Sequence, residues 1–125
     1  VEDALDGLRW ARGLGGLDAL IARTDANAAA LRAWVERTSW IADLAADPAT
    51  ASTTSVCLKL IDTTADPKAI AGLLSDEGVA FDIGAYRSAP PGLRIWCGAT
   101  VETADIEALL PWLDWAHDKV AGEDR

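Results

Sequence analysis

Thr53-Thr54-Ser55-Val56-Cys57-Leu58-Lys59-Leu60-Ile61 is a run of β-branched and apolar residues whose hydroxyl-rich opening favours extended backbone over helix. Upstream, the short apolar stretch from Trp40 to Ala45 is followed by Asp47-Pro48-Ala49-Thr50, a turn composition. The two stretches together predict a β-hairpin. Downstream, Asp66-Pro67 marks a helix start: the carboxylate can accept a first-turn amide, and proline fits the first helical position, where no donor is needed. That helix should bury Ile70, Leu73 and Leu74 and stop at Gly78, a glycine suited to the position after a helix end.

Further along, Val79 to Ile83 and Leu93 to Cys97 read as two more strands, separated by a loop that Pro90 and Pro91 stiffen. A last helix is expected from a Thr103 N-cap, with Ile106, Leu109, Leu110, Leu113 and Ala116 as its buried stripe and a bend at Pro111. The tail from Gly122 to Arg125 reads as frayed. Toward the amino terminus, Val1 to Arg12 carries Leu5, Leu8 and Ala11 at helical spacing, and Gly13, Gly15 and Gly16 interrupt it. The periodicity resumes in a long amphipathic helix over Leu17 to Arg37. The predicted organisation is a helical lead-in (1–38), an α/β layer (39–120) and a tail (121–125). The fold class is α/β of the α+β type: a small sheet of three to four strands, largely antiparallel, with helices packed on one face.

The chain has 125 residues, half of them apolar and a quarter charged, which suits one domain with its own core. Eleven Lys and Arg against twenty Asp and Glu leave a net charge of −9, a balance that disfavours nucleic acid and anionic membranes as partners. With no basic, apolar leader and no membrane-length apolar run, the chain reads as a soluble, cytoplasmic domain. Methionine is absent, even at the first position, which fits a segment of something longer as well as loss of an initiator residue. The two cysteines, Cys57 and Cys97, read as buried free thiols, and neither has a neighbour at metal-ligand spacing.

Self-contained catalysis has little support. The single histidine, His117, lies near the end of the last helix, where a solvated residue favoured by the helix dipole is the simplest reading. Gly13-x-Gly15-Gly16 lacks the offsets and the preceding strand of a phosphate loop. Arg87 and Arg94 stand out as close cations in an acidic chain. Arg94 is set among Pro91, Leu93, Ile95 and Trp96, so its guanidinium must reach an anion, either a ligand or an internal carboxylate such as Asp82. The residues leave both readings open. Trp34, Trp40, Trp112 and Trp115 are expected to fill the core or to cover a surface that meets another domain.

Four segments carry a resemblance: Ser55-Val56-Cys57-Leu58-Lys59, Phe81-Asp82-Ile83-Gly84-Ala85-Tyr86-Arg87, Gly92-Leu93-Arg94-Ile95-Trp96-Cys97-Gly98-Ala99-Thr100 and Leu110-Pro111-Trp112-Leu113-Asp114-Trp115-Ala116. Together they resemble the carboxy-terminal domain of the phosphoserine aminotransferase family, in the branch with a Gly-Leu-Arg-Ile-Trp segment, over Val1 to about Ala116. The resemblance implies the small domain of a fold-type I, pyridoxal-phosphate-dependent aminotransferase that exchanges an amino group between O-phosphoserine and 2-oxoglutarate in serine biosynthesis. It implies a homodimeric parent, a large cofactor-binding domain outside this chain, and a small amino-acid substrate. Arg94 matches the arginine that grips the substrate α-carboxylate. Arg87, with Tyr86 beside it, matches the region that receives the distal phosphate or carboxylate. None of Lys59, Lys68 and Lys119 matches the Schiff-base lysine, so the resemblance assigns this chain no catalytic, cofactor-binding or metal residue. Two alternatives stay open: a free-standing α/β module that binds a small anionic metabolite, and a structural domain with both arginines in internal ion pairs.

Overall fold

The structure, a computed structural model, describes residues 1–123. Two glycines shape the entry into it. Helix α1 (Glu2–Leu14) ends at Gly15, whose φ of 115° is left-handed, and Gly16 at φ 79° leads into α2 (Leu17–Glu36). Such dihedrals suit residues without a Cβ. Gly13 remains helical, so the break falls two residues later than the first glycine of the cluster. No side chain of α1 is buried, and Leu8 of its predicted stripe is 68% exposed. By contrast α2 buries Asn27, Ala28, Leu31 and Trp34, which recur on one helical face.

Strands β1 (Ile41–Asp43) and β2 (Ser55–Leu60) form the expected antiparallel pair, with Ile41 opposite Leu60 and Asp43 opposite Leu58. Between them, Asp47 caps a 3₁₀ turn over Pro48–Thr50 by accepting the Ala49 amide at 2.9 Å. Strand β3 (Gly92–Trp96) lies antiparallel on the other side of β2, giving the order β1-β2-β3. Ser55 faces Trp96, Cys57 faces Arg94 and Lys59 faces Gly92 across that pair. Side chains alternate between the two faces of a sheet. Val56, Leu58, Leu93 and Ile95 are buried with Leu31, Trp34, Ile70, Leu74 and Leu113, so the helices cover one face. Ser55, Cys57, Lys59, Arg94 and Trp96 belong to the opposite face.

The fourth strand expected over Val79 to Ile83 does not form. Helix α3 (Pro67–Asp76) starts as predicted, with the Asp66 carboxylate accepting the Lys68 amide at 2.9 Å. At its far end, Gly78 (φ 70°) turns the chain so that the Val79 and Ala80 amides both donate to the Leu74 carbonyl. Asp82 then takes a φ of 55°, incompatible with extended backbone. The segment's backbone pairing with β3 is limited to the Arg94 amide on the Ile83 carbonyl at 2.8 Å, next to an isolated bridge between Gly84 and Leu93. Here α3's cap and one left-handed residue outweigh the β propensity of Val79 and Ile83.

Helix α4 (Thr103–Glu123) contains Pro111 and buries Ile106, Leu110, Leu113 and Ala116. Thr103 is already helical and does not cap. Its hydroxyl instead donates to the Asn27 side-chain oxygen at 2.6 Å. The helix continues through Gly122 and Glu123, where a frayed tail is predicted; Asp124 and Arg125, also assigned to that tail, lie outside the described residues.

His117 is not solvated. Its side chain is 11% exposed, its ring stacks on Trp40 at 4.3 Å, and Nε2 meets Asp62 Oδ2 at 2.9 Å. Two tertiary contacts thus displace the helix-dipole reading. Trp34 and Trp40 are core residues, and the Trp34 indole donates to Asp114 at 3.1 Å. Trp112, 39% exposed, packs edge-on against Trp115 at the surface.

Candidate functional site

The open face of the sheet carries the chemistry. Alternation puts Arg94 on that face beside Cys57 and two residues from Trp96, while Leu93 and Ile95 anchor the strand in the core. The Tyr86 ring, from the proline-stiffened loop, lies under the Arg94 guanidinium with 4.5 Å from Cζ to the ring centroid. That is cation–π distance. Tyr86 is held in turn by its hydroxyl, 3.3 Å from Ser55 Oγ. The Ser55 hydrogen bond, followed by hydrogen bonding from Arg94, draws the Tyr86 phenol below its ordinary pKa. The phenol, ahead of the Asp82 charge, raises the already high pKa of Arg94.

Arg94 also meets an internal carboxylate. Its Nη2 lies 3.2 Å from Asp82 Oδ2 and 3.3 Å from the Asp82 carbonyl oxygen. The Arg94 side chain is 24% exposed, whereas that of Asp82 is 92% exposed. Both contacts use one nitrogen. Arg94, Asp82, Ser55, Phe81, Trp96 and Asp105 line an open hollow of about 410 Å³. Trp96 folds back over Gly98, with its indole Nε1 3.4 Å from Thr100 Oγ1, and a Cβ on Gly98 would strike its ring.

The three residues singled out in the sequence are not equivalent. Arg94 and Tyr86 come together. Arg87 is exposed and lines a separate hollow of about 530 Å³ with Lys68, Pro90 and Tyr86. Ser55 and Trp96 join the site only through the β2–β3 register, which no local pattern in the sequence announces.

Other chemistry-bearing groups are tied up. His117 spends Nε2 on Asp62, and its Nδ1 is buried, away from solvent, with the Asp118 carboxylate 3.5 Å off. Cys57 and Cys97 are free thiols; Cys57 is half-buried rather than buried, and burial pushes the Cys97 thiol up to about 11. Among the described residues no cluster of three metal-ligating side chains occurs, and no helix is long and apolar enough to cross a membrane. Neither Lys59, Lys68 nor Lys119 lines the Arg94 hollow.

The chain matches no family model. A phosphoserine aminotransferase of Methanosarcina mazei is 48% identical to it over 119 residues, covering 95% of this chain and 32% of that protein. One from Methanosarcina barkeri is 47% identical over the same shares. The chain is homologous to part of phosphoserine aminotransferase. It spans about a third of the length of these relatives. A solved phosphoserine aminotransferase, from work on radiation damage of its Schiff base, shares the fold with a TM-score of 0.74. The two are 17% identical, and the match covers 89% of this chain and 30% of that one.

Proposed function

We propose that this chain is the small domain of a pyridoxal-phosphate-dependent phosphoserine aminotransferase. In this reading Arg94 receives the α-carboxylate of the amino-acid substrate as the amino group passes between O-phosphoserine and 2-oxoglutarate. The observation that carries the reading is the guanidinium set over the Tyr86 ring on the open face of the sheet, with both of its Asp82 contacts on Nη2. A planar fork held in this way can present two parallel N–H donors to a carboxylate. Such a grip fixes the plane of the acid group and with it the direction of the Cα–H bond, the positioning a proton transfer requires.

Pyridoxal phosphate supplies electron-withdrawing chemistry when bound. In this reading the Schiff-base lysine belongs to a large domain outside this chain, and none of Lys59, Lys68 and Lys119 lines the Arg94 hollow. The chain's contribution is therefore to bind and orient, with the cofactor held by a large domain and the whole working as a homodimer in the cytoplasm. In this reading Arg87, which lines a second hollow with Tyr86 and Lys68, meets the distal anionic group.

The contact between Arg94 and Asp82 favours a second reading, in which the arginine is structural. Arg94→Ala and Arg94→Lys in the full-length enzyme separate the two. The grip predicts that kcat/KM falls by roughly two orders of magnitude for alanine, with lysine restoring little because it cannot form the fork. Unchanged kcat/KM in both variants refutes the grip.

A further inference from the structure

The Arg94–Asp82 contact differs from the Arg32–Asp43 pair that joins α2 to β1. Arg32 and Asp43 are matched in burial, 27% and 29% exposed, and Arg32 is held at two nitrogens: Nε on Asp43 at 3.0 Å and Nη2 on the Ser52 carbonyl at 2.8 Å. Arg94 is half-buried, its acid stands almost wholly in water, and both contacts fall on Nη2. A carboxylate that stays hydrated gains little from such a pair and loses little by leaving it. The surrounding backbone is anchored on both sides, at Leu74 through Val79 and Ala80 and at Arg94 through Ile83. Rotation of the Asp82 side chain alone would break the ion pair and leave Nη2 with only the neutral Asp82 carbonyl.

We propose that Asp82 is a built-in stand-in for the ligand's acid group, occupying Arg94 in the unliganded protein and giving way when a carboxylate binds. The inference rests on the carboxylate-binding reading of Arg94 and adds a positioning residue that sets the affinity of that site. An incoming carboxylate competes by taking two nitrogens of the fork where Asp82 takes one. Asp82 also opposes it by charge, together with Asp105, the other acid lining the hollow. Asp82 therefore keeps the guanidinium oriented on Tyr86 and screens out anions that cannot make a two-point contact. The left-handed φ of 55° is one that aspartate and asparagine tolerate better than other side chains, so Asp82→Asn removes the charge and preserves the backbone.

The test is a titration of the full-length enzyme with 2-oxoglutarate, read from the arginine side-chain N–H resonances of isotope-labelled protein. Wild type, D82N, R94A and the double variant are compared. D82N should bind about two- to fivefold more tightly than wild type, the range expected for release of an exposed ion pair. Binding should vanish in R94A and in the double variant. Equal or weaker binding by D82N, while binding still depends on Arg94, overturns the stand-in role and leaves the carboxylate grip intact. Absence of Arg94-dependent binding in both wild type and D82N overturns the grip, and the stand-in with it.

Discussion

Asn27 offers a test of what holds the candidate site in place. It is fully buried in α2, and its side-chain nitrogen lies 3.2 Å from the Cys97 carbonyl, 3.3 Å from that of Gly98 and 2.8 Å from that of Val101. Its oxygen accepts from Thr103. One amide thus bolts α2 to the turn that ends β3 and begins α4. Asn27→Ala removes little apolar surface, so the cavity contribution is small, but it strips buried carbonyls of their donor. An unsatisfied buried polar group costs about 1–3 kcal/mol, and at least two are created, so the loss should be about 3–4 kcal/mol. With an unfolding entropy of about 2 cal/mol/K per residue, that lowers Tm by roughly 12–15 °C. Asn27→Asp sharpens the argument because it conserves volume. A carboxylate facing three carbonyl oxygens should cost more than alanine does. Urea unfolding, followed by fluorescence of the buried Trp34, measures both. A loss below about 1 kcal/mol for alanine, or an aspartate variant more stable than the alanine one, refutes the reasoning.

Two further perturbations probe the sheet and the acid limb of stability. A Cβ on Gly92 would drive into the Leu58 carbonyl on β2, so Gly92→Ala should cost about 3 kcal/mol, and an unchanged urea midpoint would contradict the close approach of β3 to β2. Asp62 is lowered from 3.8 to about 2, first by the Thr64 hydroxyl and amide and then by His117. A carboxyl depressed in the folded state stabilises fully above its unfolded pKa, and that contribution disappears as pH falls through the folded one. Asp62→Asn should therefore flatten the loss of stability between about pH 4 and pH 2 relative to wild type, and parallel urea midpoints across that window would count against it.

Local chemistry was readable and distant partnership was not. Helix α3 could be placed from Asp66-Pro67 and Gly78 because a capping carboxylate, a proline and a left-handed glycine act within their own neighbourhood. Strands β2 and β3 could be placed because composition and alternation are local too. The strand expected over Val79 to Ile83 failed because the Leu74 carbonyl captures its first amides and Asp82 turns left-handed, outcomes set by how α3 ends against β3. His117 looked solvated because Asp62, its partner, is remote in sequence. Asn27 was hidden in an alanine-rich stretch, where nothing marks it as the donor to a turn formed far along the chain. Asp82 could be named as a neighbour of Arg94, but its exposure, which makes the pair exchangeable, could not.

Strands β2 and β3 interleave two kinds of position. Residues 56, 58, 93 and 95 are committed to the interior, while 55, 57, 94 and 96 look the other way. Each set sits next to the other in the chain yet shares no side-chain neighbours with it across the sheet. Natural variation can therefore rewrite the outward set without touching the determinants of folding, which lets new specificities evolve on an old scaffold. The exception is Gly92, where the two strands approach too closely for any side chain, so drift at that position is closed off whatever the outward face becomes.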